Sequence, residues 1–232
     1  MAQIRSTLDR DKLATIVGRP GARAGTTVSL KSPPHKGAEV NIGVSNDPAA
    51  SRTIARILKV NHAGEHGAIR IYRSQIAVAR WRCLEIVPEL KEMLSHEVNH
   101  LALFSRAMPG RQAKPCRMLF LWGIGGWLLG AGTALLGRNG VWACTAAVEH
   151  AVHRHLNHQL VFLAARDHEL HDLIASIKSE ELSHLDHAED RLKFPGLPIR
   201  LLRQSIGVTT DALIFLSTSG DSLRMAREMT TK

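Results

Sequence analysis

Ile54, Ile57, Leu58, His62, Glu65, Ile69, Tyr72 and Ile76 recur at helical spacing. The spacing predicts a helix from a cap at Asn46-Asp-Pro48 or Ser51 to about Leu84. A second helix begins near Pro88 and ends at Met108, where Pro109-Gly110 stops it; its inward stripe is Leu90, Met93, Leu94, Glu97, Leu101 and Phe104. A carboxylate on that apolar stripe is costly unless a cation compensates it, so Glu97 marks a buried site. Met118 to Gly137 is twenty residues without a charge, holding Trp122, Trp127 and Gly126-x-x-x-Gly130. Its length would allow it to span a bilayer. Glycines at 123, 125, 126, 130 and 132, and flanking Arg117 and Arg138, also suit a buried hairpin arm or a helix lying at a membrane interface. A fourth helix runs from Asn139-Gly140 to about Ala165 with Glu149, His150, His153, His155 and His158. Asp167 caps a fifth, carrying Leu170, Leu173, Ile174, Ile177, Glu181, His184 and Leu185 up to Phe194-Pro195-Gly196. The last apolar stretch, Ile199 to about Met229, reads as a sixth helix that covers the others or touches membrane.

Polar residues on these faces repeat. Glu97-Val-Asn-His100 returns 84 residues later as Glu181-Leu-Ser-His184, and each copy follows a glutamate 32 residues upstream, Glu65 and Glu149. Residues three apart on a helix share a face, so each Glu-x-x-His pair can reach one point. The repeated offset predicts two helical hairpins in tandem, each with Glu on one arm and Glu-x-x-His on the other. Packed together they form an all-α four-helix bundle with four carboxylates and two imidazoles at its centre, the donor set of a di-iron site. Such donors suit iron or manganese, and the absence of cysteine ligands argues against structural zinc. Four glutamates neutralise two ferrous ions. In bundles of this geometry Glu97 and Glu181 bridge, with Glu65 and His100 completing one metal and Glu149 and His184 the other. The segment joining Glu97 to Glu149 must return the chain along the bundle. This favours a helix lying in or on the membrane over one crossing it.

Composition adds less. The chain of 232 residues suits one well-filled core. A formal charge of +9 points to an anionic partner, whether phospholipid, nucleic acid or acidic protein. Aromatics at 4%, with Tyr72 the sole tyrosine, speak against single-stranded nucleic acid. Cys83, Cys116 and Cys144 read as buried thiols in a reducing compartment. Residues 1–50 form a basic, Gly/Pro-rich flexible extension, either a mitochondrial transit peptide or a bacterial tail, ahead of a domain over 51–232.

The runs Val60-Asn-His-Ala-Gly-Glu-His-Gly-Ala-Ile-Arg-Ile-Tyr72-Arg-Ser-Gln75, Glu97-Val-Asn-His100, Leu129-Gly-Ala-Gly-Thr-Ala-Leu-Leu-Gly137, Ala147-Val-Glu149 and Glu180-Glu-Leu-Ser-His184-Leu-Asp186 carry a family resemblance. Over about residues 54 to 218 the chain resembles the demethoxyubiquinone hydroxylases of ubiquinone biosynthesis. The resemblance implies a ferritin-like di-iron monooxygenase, peripheral to a membrane, that hydroxylates the ring of a polyprenyl-methoxy-methyl-benzoquinol. Its iron ligands fall on Glu65, Glu97, His100, Glu149, Glu181 and His184. Dioxygen would be co-substrate and an external donor would supply electrons. The membrane face would be the inner face of a bacterial cytoplasmic membrane or the matrix side of the mitochondrial inner membrane. Other ubiquinone-biosynthesis proteins would be partners, and nucleic acid would not. His62, His155, Tyr72 and His153 are candidates for places beside the ligands. Departures from the family pattern are Asn61 in place of aspartate, Arg154-His-Leu-Asn157 in place of His-His-Tyr-Asn, Ser74 for glycine, and Ser183 and Leu185 around His184. Two other readings are a di-iron hydroxylase acting on tRNA and a low-activity iron-binding scaffold.

Overall fold

Asp47 starts the first helix. Its Oδ1 accepts from the Ala49 N–H at 2.9 Å and its Oδ2 from the Ala50 N–H at 3.3 Å, with Pro48 at the first helical position. In the computed structural model residues 47–192 and 196–218 are described, and they form six α-helices and two single 3₁₀ turns, with no strand among the described residues. The helices are α1 Pro48–Arg82, α2 Val87–Ala107, α3 Leu119–Leu135, α4 Arg138–Leu163, α5 His168–Arg191 and α6 Leu197–Ser217. The N-terminal extension up to Asn46, Phe194 and Pro195 of the predicted helix stop, and the expected continuation of α6 past Thr218 lie outside the described residues.

Side-chain pairs set the directions. Asn61 meets Gln159 and Tyr72 meets Glu149, so α1 and α4 are antiparallel. His96 meets His184 and His100 meets Glu180, so α2 and α5 are antiparallel as well. The two hairpins α1–α2 and α4–α5 therefore leave α2 and α4 running the same way, and the link between them must travel back along the bundle. That link is α3, which runs parallel to α1.

The helices α1, α2, α4 and α5 share one pattern. One apolar cluster holds Tyr72, Ile76, Leu90, Met93, Trp142 and Leu185; another holds Ile57, Leu58, Phe104, Leu156, Phe162 and Ile174. Glu65, Glu97, Glu149 and Glu181 each fall between a residue block of one cluster and a block of the other. The core is thus two apolar layers with a polar layer between them. Each fully buried large side chain contributes roughly 1.5–3 kcal/mol, which offsets the cost of that layer.

The apolar segment after Met118 departs from the expected membrane-lying helix on one side. Its glycine face closes on α1: a Cβ at Gly126 would collide with the Gly67 carbonyl, and one at Gly130 with the Ile71 carbonyl and the Ser74 hydroxyl. Gly126-x-x-x-Gly130 is a helix-packing seam within the chain. Trp122 packs against Gly67, whereas Trp127, Phe120, Ile124 and Leu128 are exposed. Only one of the two tryptophans is therefore free to meet an interface. No helix among the described residues is long and apolar enough to cross a membrane. Gly137, at φ 79°, turns α3 into α4 in the left-handed region where a side chain is strained. α6 packs on α4 through buried Ile206 and is clasped there by Asp211, which accepts from Arg154 at 2.6 Å and lies 3.0 Å from His155 Nε2.

Candidate metal centre

Six side chains from α1, α2, α4 and α5 converge in the polar layer. Glu65, Glu97, His100 and Glu181 each offer an atom within 4.8 Å of the others, and so do Glu97, Glu149, Glu181 and His184. Glu97 and Glu181 belong to both groups. None of the six is more than 8% exposed. His100 Nδ1 lies 3.0 Å from Glu181 Oε1 and 3.8 Å from Glu65 Oε2. His184 Nδ1 lies 3.2 Å from Glu181 Oε2 and 3.4 Å from Glu97 Oε1.

These approaches are close but poorly aligned as hydrogen bonds. Glu97 Oε1, His100 Nδ1, Glu181 Oε2 and His184 Nδ1 are buried without a hydrogen-bond partner. Buried polar atoms are normally paired, so four orphans whose lone pairs converge on shared points fit a pair of cations. The all-O/N donor set suits iron or manganese.

Electrostatics carry the same mark. Burial, reinforced by Glu97 and Glu181, holds the Glu65 carboxyl well above its usual range. Burial and the neighbouring Glu181 and Glu97 do the same to Glu149. Burial pushes Glu181 upward too, but His100 and His184 outweigh it and bring Glu181 down to about 2. Burial alone would lower His184, yet Glu181 and Glu97 raise it to about 9. His100 is raised as well, Glu181 overcoming its burial. Protons stand where cations would neutralise the cluster.

The four residues expected beside the candidate ligands have different fates. The Tyr72 hydroxyl donates to Glu149 Oε1 at 3.3 Å, and burial, then Glu149, raise its pKa. His155 is held by Asp211 and lines a cavity that reaches the carboxylates. His62 is buried on α1 beside His66 and takes no part in either group. His153 neighbours Lys178, His150 and Asp186 and also stays outside both groups. Asn61, one turn before Glu65, exchanges two hydrogen bonds with Gln159 at 2.8 and 3.0 Å. Leu156 is buried in the core.

Two residues at the site escaped sequence reasoning. His96 Nδ1 lies 2.9 Å from His184 Nε2, and Glu180 Oε2 lies 3.1 Å from His100 Nε2. Each directly precedes the glutamate of a Glu-x-x-His motif, and that position was the available signal.

The cavity, about 990 Å³, is bounded by α1, α3, α4, α6 and the 112–118 connection. Glu65, Glu97, Glu149 and Glu181 form its inner end, and Met118, Leu121, Trp122, Leu129, Leu213 and Ile214 line its apolar walls.

Residues 52–217 match the family model described as ubiquinone biosynthesis protein COQ7, a span that includes all six candidate ligands. The chain is 37% identical over 179 residues to the mitochondrial NADPH-dependent 3-demethoxyubiquinone 3-hydroxylase of Mus musculus, covering 75% of this chain and 82% of that relative. It is 40% identical over 155 residues to the 3-demethoxyubiquinol 3-hydroxylase of Rhodospirillum rubrum, covering 66% and 73%. With the mitochondrial 5-demethoxyubiquinone hydroxylase of Saccharomyces cerevisiae it shares 31% identity over 173 residues, covering 68% and 74%.

Proposed function

The chain belongs to the family of ubiquinone biosynthesis protein COQ7, and on that premise we propose how its residues serve the demethoxyubiquinol hydroxylase reaction. It is an oxidoreductase of ubiquinone biosynthesis that hydroxylates the ring of demethoxyubiquinol. The relatives act on quinones, which leaves the tRNA reading of the basic charge without support.

Glu97 and Glu181 would be shared by two iron ions, with Glu65 and His100 completing the set that would hold one and Glu149 and His184 the set that would hold the other. The observation that carries this reading is the pair of ligand groups sharing Glu97 and Glu181 at the inner end of an apolar cavity. Bound iron supplies activation of dioxygen with electrons from an external donor. The mouse relative is named as NADPH-dependent, so a nicotinamide is the first donor to test. The chain's own part is to hold the metals, exclude water and guide the substrate. Tyr72 fixes the Glu149 carboxylate, and the apolar walls admit a quinol head while its prenyl chain trails toward α3 and α6.

Exposed Phe120, Ile124, Trp127 and Leu128 on α3, and Leu213 and Leu216 on α6, supply an apolar surface at that end. With Lys114 and Arg117 on the cavity lining, this surface suits peripheral attachment to an anionic membrane. The mouse and yeast relatives are mitochondrial and the R. rubrum relative is bacterial; for this chain the inner face of either membrane fits. Flotation with anionic vesicles that fails at low salt would remove the membrane part of the reading.

The central test loads metal-free protein anaerobically with ferrous iron, adds a short-chain demethoxyubiquinol and a reductant, and then a pulse of oxygen. Product carrying one added ring oxygen is expected. Protein that binds two irons yet forms none would support the scaffold reading.

A further inference from the structure

The two ligand histidines are held by their outer nitrogens, and the holders are exchanged between hairpins. His100 on α2 is met at Nε2 by Glu180 of α5, the residue before Glu181, at 3.1 Å. His184 on α5 is met at Nε2 by His96 of α2, the residue before Glu97, at 2.9 Å. The positions correspond in the two halves of the chain, but the chemistry does not: one holder is a carboxylate, the other an imidazole.

The His96 and His184 rings are parallel within 1° and their centroids are 5.1 Å apart. Together with the 2.9 Å N···N distance, this is the spacing of two rings meeting nitrogen to nitrogen. With Nδ1 turned to the carboxylates, a ligating His184 carries its proton on Nε2 and donates it to His96 Nδ1. His100 likewise donates from Nε2 to Glu180.

We infer that His96 and Glu180 are positioning residues, each orienting the metal-ligand histidine of the opposite hairpin, and that their different chemistry makes the two metal positions inequivalent. The inference rests on the di-iron reading above. A carboxylate accepting an imidazole N–H makes that imidazole a stronger donor to metal, whereas a neutral imidazole does so less. The metal held by Glu65 and His100 therefore has the more electron-rich histidine. The exchange also ties α2 to α5 from both sides, so neither hairpin can present its histidine correctly without the other.

The experiment is Mössbauer spectroscopy of protein loaded anaerobically with two equivalents of ⁵⁷Fe(II), together with iron retention against a chelator. Wild-type protein is expected to show two quadrupole doublets of equal area. Glu180→Gln keeps an acceptor and removes the charge, so it should move one doublet and leave the other. His96→Phe removes the acceptor, so it should move the second doublet and weaken retention of one iron by roughly 10–100-fold. His96→Asn places an oxygen where Nδ1 was and should restore the wild-type spectrum, which a purely packing role would not predict. An unchanged spectrum in Glu180→Gln or His96→Phe, or both substitutions moving the same doublet, would overturn the inference. Wild-type protein binding fewer than two irons would instead overturn the di-iron reading.

Discussion

Tyr72 and Glu149, 77 residues apart in the chain, meet through a buried hydrogen bond of 3.3 Å from the phenol to the carboxylate. That bond favours the ionised carboxylate, the form that binds metal. Tyr72→Phe should weaken iron binding several-fold near neutral pH and change fold stability by only about 1 kcal/mol. Iron titration beside thermal melting separates the two effects; equal iron affinity would show that the tyrosine only packs.

Glu97 and Glu181 are common to both ligand groups, whereas Glu65 and Glu149 each belong to one. Glu97→Ala and Glu181→Ala are expected to lose both irons, and Glu65→Ala and Glu149→Ala one each. Metal analysis decides, and a full complement in either of the first pair removes the bridging assignment.

The metal-free protein should be sensitive to base. Glu65, Glu149 and His184 have folded pKa values above their unfolded ones, so the stability they contribute is lost as pH rises through the folded values, near 9 for His184. Glu181, brought down to about 2, contributes above its unfolded value near 4.5 and loses that contribution as pH falls toward 2. The melting temperature without metal should therefore fall from mildly acidic pH toward about pH 9. Two divalent ions would displace the proton that His184 holds below about pH 9, so loading should release protons at neutral pH and flatten the decline. Melting curves with and without metal, and proton release into a weakly buffered indicator, check both parts. A metal-free melting temperature that climbs toward pH 9 would contradict the assignment.

Glycines of α3 are expected to divide sharply. Gly130→Ala places a methyl group against the Ile71 backbone and Ser74 and should cost about 1–3 kcal/mol. Gly132 has open space around its Cβ position, so Gly132→Ala should stabilise by roughly 0.5–1 kcal/mol. Denaturant unfolding of the two variants tests whether the seam or helix propensity dominates.

The sequence made much of this legible because the candidate ligands obey helix periodicity. Glu65, Glu97, Glu149 and Glu181 sit on apolar faces at matched offsets, and that mismatch of polarity survives any uncertainty in helix ends. Asp167 likewise showed as a cap, and Asp47 lies in one of the two cap positions read at the first helix, since a side chain that bonds the first free N–H groups is a local matter. Long-range pairings were hidden. Nothing local tells that Gly126 and Gly130 face Gly67 and Ile71, so the sequence left a buried hairpin arm open beside the favoured helix lying in or on the membrane. His96 and Glu180 were hidden for the same reason: each points away from its own motif and finds its partner 80 or more residues off.

The layering of the core also governs alignment. A helix in an all-apolar bundle can slide by one turn, about 5.4 Å, and still find apolar neighbours. Here such a slip of α5 would bring Glu181 to the level now held by Ile177 or Leu185, each part of an apolar cluster. A carboxylate stranded there would cost several kcal/mol, and the histidines would lose their holders on the facing helix. The same four glutamates that gather at the centre thus act as a vernier between the hairpins, admitting one alignment of the bundle and penalising its neighbours on either side.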